Sequence, residues 1–389
     1  MKVSVLGETR PGESRVALIP ALVKELVEKK GFDVAVEAGA GLGSHFPDAL
    51  FEEAGATMGD ASSVLAGADV LLKVAPPTLD EVARLPEEQV VIGFMAPFSN
   101  EEVVKAMAAR RITSFSMELV PRTTRAQRMD ALSSQATVAG YKAVLKGADQ
   151  LGKLLPMFMT AAGTIRPGKV LVLGAGVAGL QAIATARRLG AKVEAFDVRP
   201  EVSEQVRSLG AVFLETEHDV TASGEGGYAK ELSEEQHRRE LELIAAHIND
   251  ADIVITTAQI PGRPAPVLIT EEMVKSMSHG SVIVDMATES GGNCALSEAG
   301  QTVEVHGVHI MGPLNLPGEI PFHASQMYAR NIVTLLYEMV DDEGALKLDF
   351  GNDVVGPCCV THGGEVVHAG TRERLGLQPL DREEETPNG

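Results

Sequence analysis

Three glycines spaced as Gly-x-Gly-x-x-Gly, at Gly174, Gly176 and Gly179, directly follow the apolar run from Lys169 to Leu173 and open a helix-compatible stretch. Such a turn can bind the pyrophosphate of a dinucleotide. Gly174 permits the tight bend, Gly176 lets the backbone approach phosphate, and Gly179 lets the helix pack against the strand. The helix N-terminus adds free N–H groups and a positive dipole end. The turn expected to hold the cofactor therefore comprises Gly174, Gly176, Val177, Ala178 and Gly179. About 20 residues further on, a second apolar run ends at Asp197, where a carboxylate can accept hydrogen bonds from both ribose hydroxyls. Asp197 would repel a 2′-phosphate, so NAD(H) is expected in preference to NADP(H). Val198 and Arg199 join this region, and Arg199 is a cation close enough to leave room for some NADP(H) binding.

Ligands of open α/β sheets bind at the carboxyl ends of the strands. Thr256, Thr257 and Ala258 end one later apolar run, and Asp285 to Asn293 follows another. Thr257, Ala258, Asp285 and Glu289 are accordingly candidate cofactor contacts, although Asp285 suits a turn cap equally well. Gly291 and Gly292 serve the backbone. A second concentration of hydrogen-bonding groups runs from Pro121 through Arg122, Gln127 and Asp130 to Ser133 and Gln135, between two apolar segments. By composition alone it reads either as a solvated loop or as a binding loop.

The elements that must carry these residues alternate. Apolar β-like runs at 3–6, 34–36, 70–74, 90–94 and 112–115 are separated by helical stretches, and a second series has runs at 170–173, 192–196, 252–256 and 281–284. Alternation of this kind predicts parallel sheets flanked by helices. The fold class expected is α/β, with two Rossmann-like domains, the first discontinuous, linked by long helices. The first domain is predicted as 1–130 with 322–389, the nucleotide-binding domain as 140–320, and the linking helices as 131–155 and 321–340. Pro20 suits a first helical position, and apolar residues at 22, 23, 26 and 27 give that helix one buried face.

A chain of 389 residues exceeds the size at which a single core keeps growing, which agrees with two domains. Lys and Arg total 34 against 54 Asp and Glu, a formal charge of −20 that argues against nucleic acid or an anionic membrane face as partner. No apolar run approaches the ~18 residues of a membrane span, and residues 2–6 are too short for a signal peptide, so a cytoplasmic location is expected. Cys294, Cys358 and Cys359 have no metal-ligand spacing and read as reduced structural thiols. No metal is expected. The last ten residues read as a frayed tail.

The glycine fingerprint, the 121–135 loop, Ala161-Ala-Gly-Thr164, Gly226-Gly-Tyr-Ala-Lys230, the 260–270 segment and Gly291-Gly-Asn-Cys294 together resemble the NAD(H)-binding component of proton-translocating transhydrogenases, over almost the whole chain. The resemblance implies that Arg122, Gln127, Asp130 and Ser133 hold the nicotinamide and are the residues closest to the chemistry. A carboxamide offers two donors and an acceptor that Gln, Asp and Arg can satisfy, and a carboxylate nearby favours the positive ring left when hydride departs. Hydride passage between two nicotinamides needs no general acid or base, which fits the lack of an obvious catalytic histidine; His45 lies in an ordinary loop context. The resemblance further implies a loop at 220–230 that closes over the nucleotide with Tyr228 near its tip, a homodimer, a membrane-anchor subunit, and an NADP(H)-binding beta subunit that receives the hydride. Because this chain ends at Gly389 with no span, the membrane parts are expected on separate polypeptides, leaving this one peripheral to the cytoplasmic face of the inner membrane.

Two other readings compete. Alanine dehydrogenases share the type of start seen at Arg10-Pro-Gly-Glu-Ser-Arg15, and Arg15 and Lys73 match positions that bind the keto acid in that family. The histidine expected there after the 90–94 run is missing, however: the chain reads Gly93-Phe-Met-Ala-Pro97. Pyruvate reduction would lack an evident proton donor, so Arg15 and Lys73 read better as structural charges. A non-catalytic NAD(H) sensor is the third reading, and the loop at 121–135 argues against it, since a sensor could rely on the adenosine half alone.

Overall fold

The computed structural model describes residues 1–215, 233–260 and 263–380. It divides into two compact units, Met1–Gln135 with the segment from Ile320 onward, and Ala136–Glu319.

The first unit is built on an eight-stranded sheet, ordered Glu365–Val366, Cys359–His362, Thr113–Ser116, Val90–Gly93, Val70–Leu72, Lys2–Val5, Asp33–Glu37 and Thr57–Gly59. Its six N-terminal strands pair in parallel and the two C-terminal ones are antiparallel. The strands read as continuous apolar runs because both faces are covered. Val3, Val5, Val34, Val36, Val70, Leu72, Val90 and Ile92 enter one core, while Ala35, Leu71 and Val91 enter the core on the opposite face. Helix Pro20–Lys30 starts on its proline and ends at Gly31, whose left-handed backbone (φ 67°) lets its amide reach the carbonyls of Leu26 and Val27. It buries Leu22, Val23 and Leu26, as the apolar spacing predicts.

The second unit has a seven-stranded sheet ordered Val212–Phe213, Lys192–Phe196, Lys169–Leu173, Ile253–Thr256, Val282–Asp285, Val308–Met311 and Thr302–Val305, parallel except for the last strand. Here too, alternate residues serve opposite cores: Val170, Val172, Ile253 and Ile255 on one face, Leu171, Leu173, Val254 and Ile283 on the other. Both sheets follow the doubly wound order, in which the strand sequence reverses beside the first strand and opens a crevice at its carboxyl end. The α/β class expected from the alternation is the observed one.

Helix Ala131–Gln150 stops five residues short of the stretch predicted for it. Gly152 and Pro156 break the run, and an exposed two-stranded hairpin, Phe158–Thr160 with Gly163–Ile165, follows. Helix Pro321–Tyr337 begins on a proline and buries Ala324, Tyr328, Ile332 and Leu336 in the first unit. Among the described residues no helix is long and apolar enough to cross a membrane, and no group of three or more His, Cys, Asp or Glu could hold a metal.

Candidate nucleotide-binding site

Strand Lys169–Leu173 runs straight into the glycine turn, and helix Val177–Arg188 starts from it. The three glycines do different work. Gly174 has φ 99°, and a Cβ there would lie 2.5 Å from Thr257 Oγ1. Thr257 donates its amide to the Leu173 carbonyl (2.8 Å) and its hydroxyl to that of Gly174 (3.1 Å), so the turn is tied to the neighbouring strand across the crevice. At Gly179 a Cβ would fall 1.9 Å from the Gly174 carbonyl oxygen, which makes the helix–turn approach impossible for any other residue. At Gly176 it would meet nothing nearer than Arg199 Nη2 at 3.8 Å. Gly176 also stands at the helix N-cap without any capping side chain. An open cradle before uncapped helix amides is what a pyrophosphate requires, so these residues fit the nucleotide the fingerprint implies. Val177 projects outward and Ala178 is half-buried.

A glycine not singled out by the motif completes the turn. Gly140, on helix Ala131–Gln150, would place a Cβ 2.1 Å from the Ala178 carbonyl oxygen, so that helix presses directly on the turn. In sequence Gly140 looks like a mere tolerated weakness in a helix; its close approach is visible only once the chain is folded.

Asp197, at the end of strand Lys192–Phe196, accepts four hydrogen bonds. Oδ2 takes the Ala175 amide (2.6 Å) and Arg199 Nη2 (2.8 Å), and Oδ1 takes the Arg199 amide (2.9 Å) and Nε (2.8 Å). The two side chains form a forked ion pair, 14% exposed at Arg199 and 6% at Asp197. Val198 is half-buried against the core of its own sheet face. Nearby, Glu240 on helix Glu234–Ile248 is buried against His237 Nδ1 (2.9 Å); burial pushes its carboxyl above the usual range, and the like charge of Asp197 adds to this.

Thr256 and Asp285 are buried at adjacent strand ends. The Asp285 carboxylate accepts from Thr256 Oγ1, from the amides of Ala287, Asn293 and Cys294, and from Ser297 Oγ. With both oxygens committed in this way, Asp285 shapes the loop that follows it. Asn293 then grips Ala258, donating to its carbonyl (2.9 Å) and accepting its amide (3.1 Å). Asp285 and Asn293 thus hold Thr257 and Ala258 at the turn, while Glu289 is exposed on the short helical turn Thr288–Ser290. Tyr228 and the 220–230 loop lie outside the described residues.

In the first unit, the polar loop ends in the helical turn Gln127–Met129 and enters helix Ala131–Gln150 at Asp130. Asp130 accepts the Ser133 amide (2.8 Å) and hydroxyl (2.5 Å), the geometry of a helix N-cap. Helix Pro321–Tyr337 anchors the segment: Asn331 donates to the Arg128 carbonyl (2.8 Å) and accepts from Ser134 Oγ (2.7 Å). Met129 and Ala126 are buried, which leaves Arg122 and Gln127 exposed on a held loop. Arg125 pairs with Glu338 and Asp353.

The crevice of the first sheet is filled by the chain's own charges. Lys73, 1% exposed, lies between Glu81 (2.9 Å) and Glu8 (3.4 Å). Burial disfavours its charge, but the two carboxylates more than offset that and hold its pKa above the ordinary value; burial pushes Glu8 up. Arg15 is forked onto Glu13 (2.8 and 2.6 Å) and donates to Gln135 Oε1 (2.8 Å). The amides of Met95 and Ala96 donate to Glu118 at 3.0 and 2.8 Å.

The family model described as Alanine dehydrogenase/PNT, N-terminal domain, matches residues 4–139, and the corresponding C-terminal domain model matches residues 143–369. The chain belongs to the alanine dehydrogenase/PNT family. Within that family it is 48% identical over 377 residues, 95% of this chain and 98% of the relative, to an NAD(P) transhydrogenase subunit alpha protein of Rhodospirillum rubrum. The crystal structure of transhydrogenase from Sinorhizobium meliloti matches with a TM-score of 0.86 at 51% identity, covering 94% of this chain and 100% of that one. An alanine dehydrogenase of Staphylococcus saprophyticus is 30% identical over 392 residues, 98% of this chain and 99% of the relative. The resemblance read from the sequence motifs is borne out. In this chain Arg15 and Lys73 are paired internally, and after strand Val90–Gly93 Met95 is buried and the amides of Met95 and Ala96 are bound to Glu118.

Proposed function

We propose that this chain is the NAD(H)-binding subunit of a proton-translocating transhydrogenase, passing hydride between NADH and NADP⁺ held on a partner subunit. The observation that carries this reading is the end-to-end 48% identity to a transhydrogenase alpha subunit, against 30% to an alanine dehydrogenase. The internal pairing of Arg15 and Lys73 supports it, since neither cation is offered to a keto acid. In this reading the chain is a cytoplasmic, peripheral homodimer that reaches the membrane only through its partners, a membrane-anchor subunit and an NADP(H)-binding beta subunit.

The turn at Gly174, Gly176 and Gly179 receives the pyrophosphate, and the carboxylate of Asp197 receives the adenosine ribose and disfavours a 2′-phosphate. Arg122, Gln127, Asp130 and Ser133 orient the nicotinamide carboxamide, fixing the face from which hydride leaves. Bound NADH supplies the hydride; no residue of this chain is required to move a proton at that step.

Membranes of the source cell stripped of peripheral protein, with the purified chain added back, should recover reduction of an NADP⁺ analogue by NADH. Absence of recovery together with NADH oxidation by pyruvate and ammonia would overturn the reading in favour of an amino-acid dehydrogenase. In the recovered system Gln127→Ala should keep near-normal NADH affinity and lower hydride transfer by roughly 10- to 1,000-fold, the scale of lost positioning; unchanged turnover would remove Gln127 from the site.

A further inference from the structure

A carboxylate has about four acceptor positions, and at Asp197 four donors fill them: the amides of Ala175 and Arg199, and Nε and Nη2 of Arg199. The two amides are fixed by the turn and by the chain direction. A ribose diol brings two further O–H donors, and the positions it could take on this carboxylate are those held by the Arg199 fork. Nη2 of the same guanidinium lies 3.8 Å from where a Gly176 Cβ would stand, so the cation borders the open cradle as well as the carboxylate.

We infer that Arg199 is a displaceable internal occupant of the ribose position, competing with the incoming diol for Asp197 and thereby lowering the affinity for the adenosine half of the nucleotide. The inference rests on the reading that Asp197 receives that ribose. The pair also disfavours NADP(H) from both sides. A 2′-phosphate could take Arg199 only by uncovering Asp197, whose negative charge would then face the phosphate.

Adenosine, which lacks phosphates, isolates this competition, and isothermal titration calorimetry on the full chain reads it. Arg199→Met, which keeps the length and apolar stem, should bind adenosine roughly tenfold more tightly than the wild type, the scale of one charge-assisted hydrogen bond. Arg199→Lys, which cannot fork, should fall between the two. Asp197→Asn should weaken adenosine binding. Adenosine affinity that is unchanged or weaker in Arg199→Met, while Asp197→Asn still weakens it, would overturn the competition and leave the ribose assignment standing. If Asp197→Asn changes nothing, the ribose assignment fails and the competition with it. A readout independent of any substitution is the Nε–H resonance of Arg199 in the wild-type chain: displacement predicts a shift on adenosine addition, and a resonance that stays put at saturating adenosine would overturn the inference.

Discussion

At the end of strand Lys192–Phe196, Asp197 takes the amide of Ala175 in the turn beside it at 2.6 Å; at the end of strand Asp33–Glu37 in the other unit, Glu37 takes the amide of Gly7 at 2.7 Å. The same hydrogen bond, from the first turn to a carboxylate at the end of the second strand, occurs in both sheets, and both sheets reverse their strand order at that place. Beyond it they diverge. In the second unit the turn passes at once into helix Val177–Arg188, with three glycines that let backbone approach backbone. In the first, the chain after Gly7 runs without a helix until Pro20, and along it Glu8 meets Lys73, itself paired with Glu81, while Arg15 is forked onto Glu13. The strand order makes a crevice in each case. Whether an outside anion or the chain's own charges fill it is decided by a handful of residues after the first strand.

A crevice filled by buried charge is stable only while every charge is matched, because an uncompensated buried ion costs more than the pair contributes. Lys73→Met should therefore be the most damaging of the changes considered, destabilising the chain by about 3–5 kcal/mol at neutral pH in chemical denaturation. The sign of its pH dependence is fixed. With the lysine gone, Glu8, which burial already raises, loses the charge that opposes that rise, so its folded-state pKa lies further above the unfolded one and it is tolerated as a neutral acid at low pH. The deficit should be smallest at acid pH and widen as pH rises. A deficit independent of pH would mean that this carboxylate is not what Lys73 compensates.

The second crevice should break differently, and two of its glycines separate folding from binding. Gly179→Ala places a Cβ where the Gly174 carbonyl oxygen already stands, 1.9 Å away, and should cost about 3 kcal/mol of stability along with nucleotide affinity. Gly176→Ala meets only Arg199 Nη2 at 3.8 Å, so its melting temperature should match the wild type, while the proposed function has the methyl occupy the approach to the pyrophosphate and NADH affinity fall roughly tenfold. Thermal melts and NADH titrations of the two variants decide the point; equal loss of stability in both would show that the cradle at Gly176 is not open.

The two crevices are unequally legible in the sequence. The strands of both sheets show as apolar runs between turn residues, and those predicted at 170–173 and 192–196 are observed at Lys169–Leu173 and Lys192–Phe196, because strands buried on both faces leave that signature. Strands Cys359–His362 and Thr302–Val305 escape the pattern: they lie antiparallel at or near sheet edges, with little apolar run to mark them. The glycine turn is readable because its residues are local and each has its own steric reason. The charge network of the first crevice is not, since Lys73 meets Glu8 and Glu81 from three separate segments and no local pattern announces it. Asp285 can be read either way because a strand-end carboxylate looks the same whether it faces a ligand or five of the protein's own donors.

The smallest effect tests the shared hydrogen bond itself. Glu37→Gln keeps the shape of the side chain and replaces a charge-assisted bond to the Gly7 amide with a neutral one, or loses it if the amide rotates, and should cost about 1 kcal/mol. Asp197→Asn does the same to the Ala175 amide and, in addition, removes the ionic fork to Arg199, so its stability loss should be similar or slightly larger. Only the second change should alter NADH binding, for the first unit's crevice is closed by Lys73, Arg15 and their carboxylates. If Glu37→Gln lowered NADH affinity as much as Asp197→Asn does, the two crevices would be energetically linked rather than separate. The acid at the end of the second strand would then have to be assigned to ligand binding in both units, instead of to the folding of the first and to both tasks in the second.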